Sequence, residues 1–311
     1  MQMGKLPEAA EKRTVFRNIG RSAGEKEPAC TVLAGQAPDA FGMAGDTAAL
    51  EYDCRIGYLI DRVQGLLAAE DITEAVYSAA LIVPEKLEEP EIRQLVKRIA
   101  DECGRREIKA PALQVKTGRN TEAELFLAGS GRRRGLVTKP GRAIIMVGQA
   151  AKEATALMIQ KNREELKRRL SGQYLDMALA AAGQTDMREA ISIARGEAAL
   201  VKLAGEGGIF AALWQLGEYL GSGMEITLRK ILLCQETIEV CEILDRNPYF
   251  MFSTGCFLAV TDVPVPLLKR YAAAGIPAAQ IGMLCDGNDR VVYNEEEKRF
   301  LEPFRGDDWY R

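Results

Sequence analysis

Histidine is absent from all 311 residues of this chain. Its absence excludes Ser-His-Asp and Cys-His triads, histidine general bases and every histidine-ligated metal site. Any chemistry then rests on carboxylates, Lys, Arg, backbone amides or a thiol. A hard cation such as Mg²⁺, which takes oxygen ligands, stays possible. The seven cysteines contain no Cys-x-x-Cys pair. Their odd number fits reduced thiols better than a disulfide framework, so a cytoplasmic protein is expected. No apolar run reaches transmembrane length, and the polar start MQMGKLPEAAEKR has no secretory apolar region, so no membrane partner is expected. A formal net charge of -3 leaves no basic footprint for nucleic acid.

What is there is an ordinary globular balance, 47% hydrophobic and 27% charged, on a chain long enough for two domains with sizeable cores. Residues 5–20 read as a helix, with Pro7 in a first-turn position and Val15, Phe16 and Ile19 on its apolar side. Residues 28–60 read as strand and turn, and 61–76 as a helix. The run 76–84, VYSAALIVP, reads as a buried strand ended by proline; an amphipathic helix with Ile92, Leu95, Val96, Ile99 and Cys103 on one face follows it. Polar, Gly-rich sequence between Thr117 and Gly135 leads to a boundary, placing the domains at 1–135 and 136–311.

Past the boundary the pattern restarts. Ala143–Val147 is a short apolar strand, and 152–170, 173–183 and 186–196 read as helices. A helix over Gln235–Leu244, the strand MFSTGCFLAVT, a helix over Pro266–Ala274, and a hairpin of VVYN with RFLEP complete the chain. Helices alternating with strands in both halves predict an α/β or α+β fold rather than a bundle or a sandwich.

The most informative stretch is Ala204–Arg229, AGEGGIFAALWQLGEYLGSGMEITLR. A glycine pair opens an amphipathic helix, a Gly-Ser-Gly ends it and a strand follows. Free amides at a glycine-led helix start, with the helix dipole, favour an anion such as phosphate.

Several blocks recur in order along the chain: Gly4-Lys5-Leu6-Pro7, Gly45-Asp46-Thr47-Ala48-Ala49-Leu50, Glu70-Asp71-Ile72, Thr138-Lys139-Pro140-Gly141, Glu206-Gly207-Gly208, Gln235–Glu242 and Pro303–Tyr310. Together they resemble the aminoimidazole ribonucleotide synthase-related (PurM-like) superfamily, in its branch related to the hydrogenase-maturation carbamoyl dehydratase. The resemblance implies a two-domain fold, an N-terminal sheet domain that dimerises and a C-terminal α/β domain. It also implies ATP and Mg²⁺ as cofactors, and phosphorylation of an acyl- or amide-type oxygen on a small acceptor that the sequence does not identify. The alternative is a catalytically degenerate nucleotide-binding or regulatory dimer.

Carried over by position, the resemblance makes Asp46, Asp53 and Asp71 the metal ligands. Lys5, Asn120, Thr121, Gly207 and Gly208 become the contacts to the nucleotide, and no catalytic residue is assigned. The departures are specific. Thr47 replaces a second acid, the histidine expected beside Thr121-Glu122 is gone, and Leu203 stands where an acid normally precedes the glycine pair. The run DDWYR lacks the terminal cysteine acceptor of the hydrogenase-maturation branch, so that branch's own activity is not expected. Other readings remain beside these: turn and capping aspartates for Asp46, Asp53 and Asp71, and a tight helix entry for the glycines. Arg132-Arg133-Arg134 reads as a solvated basic turn, Lys202 as a surface lysine and Cys256 as a buried apolar thiol. Trp214 and Tyr219 read as core or wall residues.

Overall fold

The computed structural model describes residues 30–33, 41–52, 54–72, 74–109, 111–133 and 141–310. The expected helix at 5–20, Lys5 with its Gly4–Pro7 block, Asp53, Arg134 and the Thr138–Pro140 segment lie outside the described residues. The chain divides into two units, Pro28–Leu136 and, for its described part, Val137–Arg311.

In the first unit, strands β1 (Cys30–Leu33), β2 (Phe41–Ala49), β3 (Val76–Pro84), β4 (Ala112–Gly118) and β5 (Glu124–Arg132) form one sheet in the order β1-β2-β5-β3-β4. Only β3 and β4 run parallel. Alternation decides the faces. Ala44, Ala48, Ala79, Leu81, Val83, Leu125 and Leu127 point inward and pack with Ile56, Leu59, Ile60, Val63 and Leu67 of helix α1 (Cys54–Ala69). The alternate residues Phe41, Met43, Val76 and Phe126 remain exposed on the other face. Helix α2 (Glu89–Arg105) starts where the Glu91 carboxylate accepts the Glu88 N–H at 3.0 Å. It buries Ile99 and Cys103, with Ile92, Leu95 and Val96 packed half-buried beside them, the face its periodicity predicts.

Two expectations need correction here. The helix read at 61–76 runs instead from Cys54 to Ala69. Ile56, Tyr58 and Ile60 favour strands intrinsically, but their burial on almost every side of α1 overrides that preference. The helix ends in a Schellman turn: Asp71 takes φ 60°, its N–H donates to the Ala68 carbonyl at 3.0 Å, and the Ile72 N–H donates to the Leu67 carbonyl at 2.9 Å. The second correction concerns 117–135, read as polar, Gly-rich sequence leading to a boundary, of which Glu124–Arg132 is the central strand β5. Its glycines serve close packing. A Cβ on Gly129 would lie 2.6 Å from a Leu67 methyl, and one on Gly131 2.8 Å from Ile72.

The second unit holds strands β6 (Ala143–Gly148), β7 (Ala198–Leu203), β8 (Gly223–Thr227), β9 (Cys256–Thr261), β10 (Ala278–Cys285), β11 (Arg290–Asn294) and β12 (Glu297–Phe300), ordered β12-β11-β8-β10-β6-β9-β7. The β11–β12 hairpin is the one VVYN and RFLEP predict. β6 is buried along its apolar run because it lies inside the sheet between β9 and β10. The helices are α3 (Lys152–Lys161), α4 (Arg163–Leu166), α5 (Gly172–Ala182), α6 (Arg188–Ala194), α7 (Gly208–Leu220), α8 (Gln235–Leu244) and α9 (Pro264–Ala273). The single helix expected at 152–170 breaks at Asn162, and β7 is a strand the sequence reading did not mark. Ile209, Leu213 and Leu216 of α7 pack on Ile144, Met146, Leu258 and Ile281, which anchors the glycine-led helix to the sheet centre.

Candidate functional site

The start of α7 is built around backbone that only glycine holds without strain. Gly207 has φ 80° and Gly208 φ 71°. A Cβ on Gly207 would sit 2.3 Å from the Phe304 ring, and one on Gly208 would sit 2.5 Å from the Tyr249 carbonyl oxygen. The Gly208 N–H donates to the Gly205 carbonyl at 3.1 Å, and the Ser253 N–H donates to the same oxygen at 3.1 Å. The Gly207 N–H donates to Asp307 Oδ2 at 2.7 Å. A carboxylate from the chain's own last residues thus stands at the positive end of the helix.

Asp307 is 2% exposed, and its other oxygen accepts the Trp309 N–H at 2.9 Å. Burial pushes its proton affinity up, to a pKa of about 8; the two N–H groups pull it down, and the Glu206 and Glu153 charges push it further up. Glu153, on the first turn of α3, is itself buried and accepts the Thr254 hydroxyl. The adjoining Ser253 Oγ accepts the Ala151 N–H at 2.9 Å and donates to the Met251 carbonyl at 2.8 Å. Sequence reading quoted the Pro303–Tyr310 block without giving Asp307 a role. The signal was an acidic pair between Gly306 and Trp309, but its partner lies 100 residues away in sequence.

The other expected positions among the described residues, Asp46, Asp71, Asn120 and Thr121, lie in the first unit. Asp46 sits on the inward face of β2, opposite Leu127. Its carboxylate accepts the Thr47 N–H at 2.7 Å and lies 3.2 Å from the Arg62 Nε. Asp71 holds the left-handed position that ends α1, beside the Ile72–Arg133 bridge. Asn120 and Thr121 are exposed in the β4–β5 connection, at the Glu124 end of β5. β5 separates these two ends by roughly 25 Å at about 3.3 Å per residue. Within one chain Asp71 and Asn120–Thr121 therefore occupy opposite ends of the sheet. Among the described residues, no group of three or more Asp, Glu, Cys or His is arranged to hold a metal ion. Asp46 and Asp71 therefore form no all-protein cage, and a Mg²⁺ held by them would need phosphate oxygens and waters to complete its shell.

The remaining candidates resolve locally. Cys256 is fully buried, and burial pushes its thiol up to about 12 although Lys152 pulls the other way. Trp214 lies under the Arg290 guanidinium, 4.2 Å from ring centre to Cζ, and Arg290 also reaches Glu218 at 2.8 Å. Arg133 is 3.2 Å from Glu70. Lys202 corrects the surface reading: it is 8% exposed, on β7. No helix among the described residues is long and apolar enough to cross a membrane.

No family model matches the chain, and no curated protein does. Solved structures do match over most of its length. E. coli HypE, a hydrogenase maturation protein, is 16% identical with a TM-score of 0.72, covering 86% of each chain. Thiamine monophosphate kinase from Aquifex aeolicus is 12% identical with a TM-score of 0.71, covering 94% of this chain and 98% of its own. A hydrogenase maturation protein HypE in complex with ATP is 13% identical with a TM-score of 0.68, covering 99% and 98%. The class defined by these likenesses is the two-domain PurM-like fold. The chain is a divergent protein of that fold, and at these identities the likeness is one of architecture.

Proposed function

We propose that the chain is an ATP-binding PurM-like enzyme acting on a small acceptor with an acyl- or amide-type oxygen. The supporting observation is the whole-length likeness to a HypE structure that holds ATP. ATP, when bound, supplies a phosphoryl group that turns such an oxygen into a leaving group. The chain's own candidates to face the nucleotide are the Gly207 and Gly208 amides with Lys5, Asn120 and Thr121; Asp46, Asp53 and Asp71 are its candidate Mg²⁺ ligands.

ATP with Mg²⁺ at millimolar concentration is expected to raise the melting temperature, because a ligand selective for the native state stabilises it. The double variant Asp46→Asn with Asp71→Asn should lose that shift. A wild-type protein whose melting temperature ignores ATP overturns the reading.

A second reading, a binding or regulatory protein without turnover, is favoured by the pairing of Asp46 with Arg62 at 3.2 Å. Detecting ATP hydrolysis or phosphoryl transfer counts against it.

We also propose a homodimer formed through the exposed face of the first sheet, where Phe41, Met43, Val76 and Phe126 lie unburied. Light scattering should give twice the chain mass, and Phe126→Glu with Met43→Glu should halve it. A monomeric wild type refutes this assembly.

A further inference from the structure

We propose that Pro303–Tyr310 is a proton-dependent latch, seated on the start of α7 while the Asp307 carboxyl keeps its proton and lifting when that proton is lost. The inference involves no ligand and stands apart from the nucleotide reading. Its geometry is that of one buried acid joining two distant parts of the chain. Asp307 Oδ2 accepts the Gly207 N–H at 2.7 Å and Oδ1 accepts the Trp309 N–H at 2.9 Å, so one carboxyl both fastens the segment to α7 and shapes its last turn. The charged groups that bear on it from the elements packed around it are both acids. Glu206 lies on the connection into α7, and Glu153 is buried on the first turn of α3, where it accepts the Thr254 hydroxyl. Within the segment, Asp308 is turned to the Asn247 N–H at 3.0 Å and Arg305 pairs with Glu302 at 3.1 Å. Lys161 of α3 meets the segment at the Trp309 ring, 4.7 Å from its centre.

Seated, Asp307 holds its proton up to a pKa of about 8, because burial and the two neighbouring acids outweigh the two N–H groups. Lifted into water, it returns to the ordinary carboxylate range. A proton bound more tightly in the seated state favours that state at low pH, and the advantage is lost as pH rises toward 8. Over that interval the lifted population grows about tenfold per pH unit, and it then levels off. The segment has a pivot and few contacts to break. Gly306 sits at φ 147°, a conformation open to glycine, directly before Asp307. Phe304 lies on the side of Gly207 that carries no Cβ, and the Tyr310 ring meets Phe252 edge-on at 5.8 Å. Asp308 borders an open cleft of about 610 Å³ with Arg246 and Tyr249, which lifting would extend toward Gly207.

The test is amide hydrogen exchange on the full chain at a series of pH values, corrected for the intrinsic rate. The reporters are the N–H groups of Gly207, Asn247, Trp309 and Tyr310, each bonded to an oxygen of Asp307 or Asp308. Their protection should fall about tenfold per pH unit from about pH 5 to about pH 8 and then level off. Asp307→Asn keeps the shape without the titrating proton and should abolish that slope. Glu153→Gln removes one opposing acid and should start the plateau at a lower pH. The β9 amides should stay more protected than the four reporters throughout, which marks the opening as local. Wild-type protection that does not vary with pH overturns the latch. So does a slope that persists in Asp307→Asn, or reporters that exchange together with β9. Where Asp307→Asn fails to fold, the wild-type slope and the Glu153→Gln plateau decide the matter.

Discussion

Arg106→Ala is expected to lower the free energy of unfolding by about 3–5 kcal/mol, because it strands a buried carboxylate without its partner. Asp61, on the inner side of α1, has a side chain 1% exposed. It accepts from Arg106 Nε at 2.5 Å and from a second guanidinium nitrogen at 2.9 Å, a bidentate pairing. Glu102 accepts from the same guanidinium. Burial pulls the proton affinity of Arg106 down, but hydrogen bonds and charge from Asp61 and Glu102 outweigh it and raise it. The pair ties α1 to the end of α2, so its loss is not confined to one side chain. Urea unfolding followed by circular dichroism measures the effect. The control is Asp61→Leu with Arg106→Leu, which removes both charges and should recover most of the loss. A single Arg106→Ala variant within about 1 kcal/mol of wild type contradicts the account.

Gly208→Val is expected to be as damaging for a different reason. At φ 71° a branched side chain costs about 1–2 kcal/mol in backbone strain alone. Its Cβ would also meet the Tyr249 carbonyl at 2.5 Å and the Met251 nitrogen at 2.8 Å, both backbone atoms that cannot step aside. Overpacking of this kind adds about 1–3 kcal/mol, and at about 2–4 °C per kcal/mol the combined effect is a fall of roughly 10 °C in melting temperature. Gly221→Ala supplies the contrast. Its φ is 61°, yet nothing lies within 4 Å of the added carbon. Strain without collision should cost about 1 kcal/mol. Equal losses at the two glycines contradict the role given to the Tyr249–Met251 backbone.

The alternation of helices and strands was legible in the sequence, and so was the apolar face of α2, because periodicity is a local property. The β5 strand was not. Its Gly129 and Gly131 look like boundary sequence, since a glycine required by a neighbour's side chain has the same letter as one required by a turn. The helix α1 was displaced because Ile56 and Ile60 follow strand propensity until Leu81, Leu125 and Leu127 pack against the helix carrying them. At the candidate site, the local half was readable: a glycine pair opening an amphipathic helix. Its occupant Asp307 was not, because only the fold brings the last turn of the chain to the start of α7.

The position of β6 also bears on how the protein is made. Its neighbours β9 and β10 are synthesised only after six helices of four to thirteen residues have emerged. Until then AIIMVG, the first strand of its sheet, has neither edge satisfied. Pairings this distant in sequence close slowly, because loop entropy is spent before any contact rewards it. A nascent chain halted before Cys256 would therefore present a bare apolar strand, and binding by chaperones should peak over that interval of translation.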